Sequence, residues 1–260
     1  MIDTHAHVNA DAFDDDREAV IQRAFDAGLT CWIEVGTDVA SSRAAIELAK
    51  STKGVYAAVG VHPDEIEELS EVEWNMFQSF VLHHSVCAIG EVGFDTFRSG
   101  TIAQQEPILR RFIDLAIASK KPMIFHVRNG NEVDAHAELL RVLDSYADDV
   151  RPKGVIHTFS GTLAQAKEYI KLGMSISFSG VITFKNAGEL PEIAKEIPIE
   201  SILVETDCPF LTPEPNRGKR NEMAYVKHVI EKIADLRNMS FEDVENITEK
   251  NAENLFLLPK

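Results

Sequence analysis

A chain of 260 residues with 45% hydrophobic content is long enough to bury a core without disulfides, and its three cysteines, Cys31, Cys87 and Cys208, form no CxxC pair. Acidic residues outnumber basic ones 42 to 26, a formal charge of -16, which argues against a broad, sequence-indifferent grip on duplex DNA through many Lys and Arg contacts. No apolar run is long enough for a bilayer and no basic stretch followed by an apolar one opens the chain, so a cytoplasmic protein without a membrane partner is expected.

A short apolar run recurs along the chain, each time followed by a longer amphipathic stretch. Residues 2–4 are followed by 14–27, 31–35 by 40–51, 55–59 by 71–82, and 86–89 by 103–119. Residues 122–125 then precede 132–146, 154–156 precede 163–172, 174–178 precede 189–196, and 201–204 precede 223–237. That is eight strand candidates, each with its helix candidate. The runs are apolar throughout rather than alternating, as strands covered on both faces should be. Eight such units in this length point to an α/β fold, a closed (β/α)8 TIM barrel, although an open doubly wound sheet shares the local signature. Residues 241–258 read as an extra helical cap, and with no linker or low-complexity tract in sight, residues 1–260 are expected to form a single domain.

The chemistry lies in the polar residues that interrupt or end these runs. His5 and His7 are two apart in the first run, so both imidazoles point to one side. Glu91 ends the fourth run, His126 the fifth, His157 the sixth and Asp207 the eighth. In a barrel those ends converge on one face, where four imidazoles and two carboxylates suffice to hold two divalent ions. A carboxylate between two ions bridges them, and a water in the same gap becomes a strong nucleophile. Asp3 is placed too early to be a ligand and is expected to accept from a ligand imidazole or a nearby backbone donor. His62, in Gly-Val-His-Pro just past the third run, is expected to touch substrate. His83, His84, His136 and His228 fall in or beside helical stretches and read as surface or packing residues. Cys208 follows Asp207, yet no base stands at a spacing that would make it a nucleophile.

These residues also carry a family pattern. The opening Ile-Asp-Thr-His-Ala-His, Val-Gly-Val-His-Pro at 59–63, Ala-Ile-Gly-Glu-Val-Gly-Phe-Asp at 88–95, Phe-His-Val-Arg at 125–128 and Ile-His-Thr-Phe-Ser-Gly at 156–161 come in order. The most specific is Glu-Thr-Asp-Cys-Pro-Phe-Leu-Thr-Pro at 205–213, running on to Arg217-Gly218-Lys219-Arg220-Asn221-Glu222. In these the chain resembles the TatD-related deoxyribonucleases and metal-dependent hydrolases. The resemblance implies a (β/α)8 barrel with a di-metal centre: His5, His7 and Asp207 on one ion, His126 and His157 on the other, Glu91 between. It also implies hydrolysis of DNA phosphodiesters, with members that act on other esters. The chain departs from the pattern at Gly93-Phe94-Asp95-Thr96, where Gly-Leu-Asp-Tyr is common, and at Asn129-Gly130 after the His-x-Arg element. Both departures line the mouth of the expected site and bear on substrate choice.

The expected reaction is metal-assisted hydrolysis of a phosphoester, with DNA ends, single strands or a small phosphodiester as substrate. Asp207 and Glu91 are the expected catalytic carboxylates, Asp207 orienting the water and taking its proton. Arg128 is expected to hold a non-bridging phosphate oxygen through its planar fork, and His62 to donate to the leaving oxygen. Nitrogen-rich ligation suits Zn, Ni, Co or Fe, whereas nucleases of this kind are often assayed with Mg or Mn. Hydrolysis of a carboxylic ester or an aminoacyl-tRNA ester fits the same barrel and metals. A metal-stabilised, non-enzymatic binding scaffold is disfavoured because no expected ligand is missing. No exposed heptad or swapped arm is legible, which is compatible with a monomer.

Overall fold

The computed structural model describes residues 1–98, 101–130 and 132–258. Its strands are β1 (Ile2–Ala6), β2 (Cys31–Val35), β3 (Val55–Val59), β4 (Val86–Asp95), β5 (Met123–Arg128), β6 (Gly154–Ile156), β7 (Met174–Phe178) and β8 (Ile202–Val204). They lie side by side in chain order, and every neighbouring pair is parallel. The ring closes just past β8. There the Asp207 N–H donates to the His5 carbonyl and the His7 N–H to the Cys208 carbonyl, both at 2.9 Å. The helices α1 (Arg17–Asp26), α2 (Val39–Ser51), α3 (Glu71–Phe80), α4 (Ile102–Ser119), α5 (Ala135–Asp144), α6 (Leu163–Lys171), α7 (Leu190–Glu196) and α8 (Val226–Arg237) alternate with the strands. The fold is the expected (β/α)8 barrel. The last helix, α9 (Phe241–Phe256), sends Ala252 and Phe256 into a buried cluster with Ile2, Ile33, Ile124, Val155 and Leu203, and so caps the interior at the end where the strands begin. The outward strand residues, Trp32, Phe125 and Phe178 among them, pack in a second cluster with helix residues such as Phe112, Leu139 and Tyr169. No helix among the described residues is long and apolar enough to cross a membrane.

Three strands depart from the sequence reading, and these departures position the site. In β1 the register steps from Asp3 opposite Trp32 to Ala6 opposite Glu34, three residues against two. This extra residue turns β1 over, so that Ile2 faces the interior below the bulge and His5 and His7 face it above. β4 extends to Asp95 rather than stopping at residue 89, and it carries the same irregularity between Ile89 and Val92. Ala88 packs inward. Strict alternation would then turn Glu91 toward the helices, and the extra residue returns it to the interior. Glycine permits this path. Gly90 and Gly93 both have φ of +153°, and a Cβ on Gly93 would stand 1.9 Å from the His126 carbonyl oxygen. β5 likewise runs on past residue 125, so His126 and Arg128 are strand residues two apart that follow the inward Ile124.

Candidate metal centre

All six expected ligands converge above the interior cluster. His5 Nε2 and His7 Nε2 are 3.1 Å apart, and Asp207 Oδ1 stands 3.8 and 3.4 Å from them. Beside this trio, Glu91 Oε1 lies 2.5 Å from His126 Nδ1 and 2.9 Å from His157 Nε2, with those two nitrogens 3.2 Å apart. The other oxygen of Glu91, Oε2, is 3.3 Å from His5 Nε2 and 3.9 Å from His7 Nε2. One carboxylate thus turns one oxygen toward this trio and the other to the His126–His157 pair. Donors gathered around a single ion at about 2.1 Å stand roughly 3.0–3.4 Å from one another, a spacing kept by the His5–His7, His7–Asp207, His126–His157 and His5–Glu91 pairs.

The outer nitrogens test whether the donors are set for a cation. His7 Nδ1 faces the Val35 carbonyl at 2.9 Å, His126 Nε2 faces Asp95 Oδ2 at 3.1 Å, and His157 Nδ1 faces Glu205 Oε1 at 3.3 Å. A proton held at each of these acceptors leaves the lone pair of the opposite nitrogen pointing into the cluster, the arrangement a metal-binding imidazole requires. These residues fit divalent ions. Burial pushes the Glu91 carboxyl up, but His157, His126 and His5 outweigh it and hold the group well below its ordinary value, so it is an anion in place.

Three carboxylates that the sequence reading passed over build the walls. Asp95 and Glu205 are the acceptors just named. Burial raises both, but the hydrogen bond with His126 and the His157 imidazole 3.3 Å away respectively bring each down to about 2. Glu205 also accepts from the Thr158 N–H at 2.7 Å and its hydroxyl at 2.5 Å, and so holds a β-branched residue at φ +39° beside His157. Glu34 accepts from the backbone of Val8 and Asn9 at 3.1 and 2.8 Å and fixes the loop after β1, and burial pushes its carboxyl up to about 7. Each sits in or next to an apolar run, and a carboxylate in such a run is the one signal that marks it. Asp3 takes the His5 N–H at 3.2 Å and the Thr206 N–H and hydroxyl at 2.9 and 2.6 Å, so its donors are backbone and hydroxyl and not a ligand imidazole.

His62 reaches the same chamber, with Nε2 3.7 Å from Glu91 Oε1. Its Nδ1 accepts the Asp64 N–H at 3.1 Å, which places the ring proton on Nε2, facing the site. Arg128 lines the cleft with its guanidinium 4.1 Å from the centre of the Phe97 ring, and it has no carboxylate at ion-pair distance among the described residues. The cleft has a volume of about 930 Å³ and includes His7, Glu91, His126, His157, Asp207 and Phe210 in its wall. Away from it, His136 is buried between Tyr169 and Ser160, while His228 pairs with Glu231. Cys208 is buried, and burial pushes its thiol well above the ordinary value.

The TatD-related DNase pattern matches residues 2–257. An uncharacterized metal-dependent hydrolase of Bacillus subtilis is 40% identical over 258 residues, 98% of each chain. A 3′-5′ ssDNA/RNA exonuclease of Salmonella typhimurium is 32% identical over 263 residues, again 98% of each. The crystal structure of a TatD homolog from Escherichia coli K12 superposes with a TM-score of 0.90 at 31% identity, covering 100% of this chain and 98% of the other. Matched over nearly its whole length, the chain belongs to the TatD-related DNase family and is a metal-dependent hydrolase.

Proposed function

We propose that this chain hydrolyses phosphodiester bonds of DNA at unpaired strand ends with two divalent ions. His5, His7 and Asp207 would hold one, His126 and His157 the other, with Glu91 shared between them. The observation that carries this reading is the division of the Glu91 oxygens, Oε2 toward His5 and Oε1 toward His126 and His157. When bound, the ions supply a lowered pKa for an attacking water and positive charge against the phosphoryl oxygens. The remaining work falls to side chains. Asp207, at the edge of its trio with its side chain 14% exposed, orients the water and takes its proton as the new P–O bond forms. Arg128, with no acidic partner among the described residues, donates to a non-bridging oxygen. The His62 Nε2 proton faces the chamber and passes to the leaving oxygen as the old P–O bond breaks. The anionic Glu91 holds its place without a proton to give. Free, unpaired Cys31, Cys87 and Cys208 accord with a reducing, cytoplasmic setting.

The test is a substrate panel with the purified chain stripped and reloaded with Zn, Mg, Mn, Ni, Co or Fe. Single-stranded DNA with free 3′ ends, duplex DNA, RNA, a generic phosphodiester and aminoacyl-tRNA are compared. Metal-dependent release of nucleotides from single-stranded DNA supports the reading. Turnover confined to the aminoacyl ester would replace it with carboxylic ester hydrolysis.

A further inference from the structure

Two large aromatic rings stand in solvent on the face that carries the site. Phe97 is 59% exposed and Phe210 is 57% exposed. Phe97 follows β4 and Phe210 follows β8, and in a ring of eight strands these are four steps apart in either direction. The two rings therefore rise from opposite sides of the mouth, with the imidazoles and carboxylates between them. Both are mounted on anchored backbone. The Phe97 N–H donates to Asp95 Oδ1 at 2.8 Å, and the Phe210 N–H donates to the Asp207 carbonyl at 2.9 Å. The Phe210 carbonyl accepts from the Asn221 side-chain amide at 2.6 Å. Backbone held this way leaves only the two side-chain torsions of each ring to be ordered when a flat partner lands on it.

Arginines accompany the rings. Arg128 lies over Phe97, and on the loops after β7 and β8 the guanidinium of Arg217 lies 3.7 Å from the centre of the Phe184 ring. Neither arginine has a carboxylate at ion-pair distance among the described residues, in a chain with 42 acidic and 26 basic residues. The cleft wall itself is acidic, with Asp11, Glu34, Asp38 and Asp64 in it, so away from the bound ions a phosphate backbone alone finds a poor field there. A strand must gain affinity from another of its parts. Its bases offer π-faces, and stacking on aromatic rings tolerates any sequence.

Resting on the phosphodiester reading above, we propose that Phe210 on one side and the Phe97–Arg128 pair on the other are stacking subsites for unpaired nucleobases flanking the bond that is cut. Bases in a duplex are already stacked and paired, so only a frayed or single strand presents faces to both rings. The nucleobase, and not only the sugar–phosphate, is then part of what the site recognises.

The experiment compares two single strands of equal length under one metal: oligothymidine, and the same strand with abasic tetrahydrofuran residues at the two terminal positions. The parent is expected to cut oligothymidine with about tenfold or higher kcat/KM. In Phe97→Ala and Phe210→Ala that preference collapses toward one, and Phe210→Trp restores it. A second reading, free of turnover, is fluorescence anisotropy of the labelled strands on the chelator-stripped chain. There each alanine variant should bind oligothymidine several-fold more weakly, with the abasic strand little changed. A preference unchanged in both alanine variants overturns the stacking subsites while phosphodiester cleavage stands. A parent that cuts neither strand overturns the phosphodiester reading and the subsites with it.

Discussion

Asp95 and His126 meet at 3.1 Å between Oδ2 and Nε2, and the other oxygen of the same carboxylate takes the N–H groups of Phe97 and Arg98 at 2.8 and 2.9 Å. One buried side chain therefore sets the proton position of a proposed ligand and the course of the loop at the mouth. Replacing it should act on the site through His126. Asp95→Ala is expected to weaken metal binding about 10- to 100-fold, the usual effect of losing a carboxylate behind a ligating imidazole. Competition against a chelating dye, with circular dichroism as the control for folding, measures it. Unchanged affinity in a folded variant would show that Asp95 shapes the loop alone.

Glu91 and His62 separate holding the ions from using them. With one oxygen toward His5 and the other toward His126, Glu91 touches both proposed ion sites, whereas His62 Nε2 stands 3.7 Å from Glu91 in the chamber wall. Glu91→Ala should lower the bound divalent metal from up to two ions per chain and abolish turnover. His62→Ala should retain the parent's metal content and lose a smaller part of kcat. Elemental analysis and steady-state rates on the same preparations check both. Parent-like rates for Glu91→Ala at saturating metal would end the bridging assignment.

The barrel was legible because parallel strands covered on both faces leave near-continuous apolar runs, and the eight runs stand at those positions in the structure. The ring of strand ends brings His126, His157 and Asp207 to one face for the same reason. Glu91 was harder. Its inward direction depends on one extra residue between Ile89 and Val92, and a register shift leaves no trace in hydropathy except the permissive Gly90 and Gly93. Glu205 and Glu34 were passed over because a carboxylate next to an apolar run resembles a strand end until its partners, His157 and the Val8–Asn9 backbone, are brought beside it by the fold. The exposure of Phe97 and Phe210 was not readable either. An isolated Phe in a loop carries no sequence signal that tells core from rim.

Arg128 tests phosphate recognition directly. It follows His126 by two residues in β5, lines the cleft, and has no carboxylate partner among the described residues. A charge-assisted hydrogen bond to a substrate anion is worth about 1.5–3 kcal/mol, so Arg128→Ala should lose roughly 10- to 100-fold in kcat/KM on a phosphodiester. Metal content should stay at the parent's level. An uncharged ester has no anionic oxygen to hold and should lose little. Equal losses on both substrates would instead assign Arg128 to the structure of the mouth.

His136 predicts a pH-dependent stability that is separate from the metal centre. It is fully buried at the start of α5, with Nδ1 3.3 Å from the Tyr169 hydroxyl and Nε2 3.2 Å from the Ser160 hydroxyl. Burial lowers its pKa from 6.5 to about 4, against a smaller opposing pull from Asp134. The unfolded chain therefore binds a proton that the folded chain refuses between these values. Stability from this residue is fully present above about pH 6.5 and is lost progressively as the pH falls toward 4. Between pH 7.5 and pH 5 the loss comes to about 2 kcal/mol, on the basis of 1.36 kcal/mol per pKa unit. Removing the imidazole removes that loss. Urea unfolding of the parent and of His136→Gln at the two pH values isolates the effect, because the other titrating groups are common to both chains. The variant is expected to be less stable than the parent at pH 7.5, and the gap should narrow by about 2 kcal/mol at pH 5. A gap that keeps its size at both pH values would show that His136 takes up its proton without cost in the folded chain.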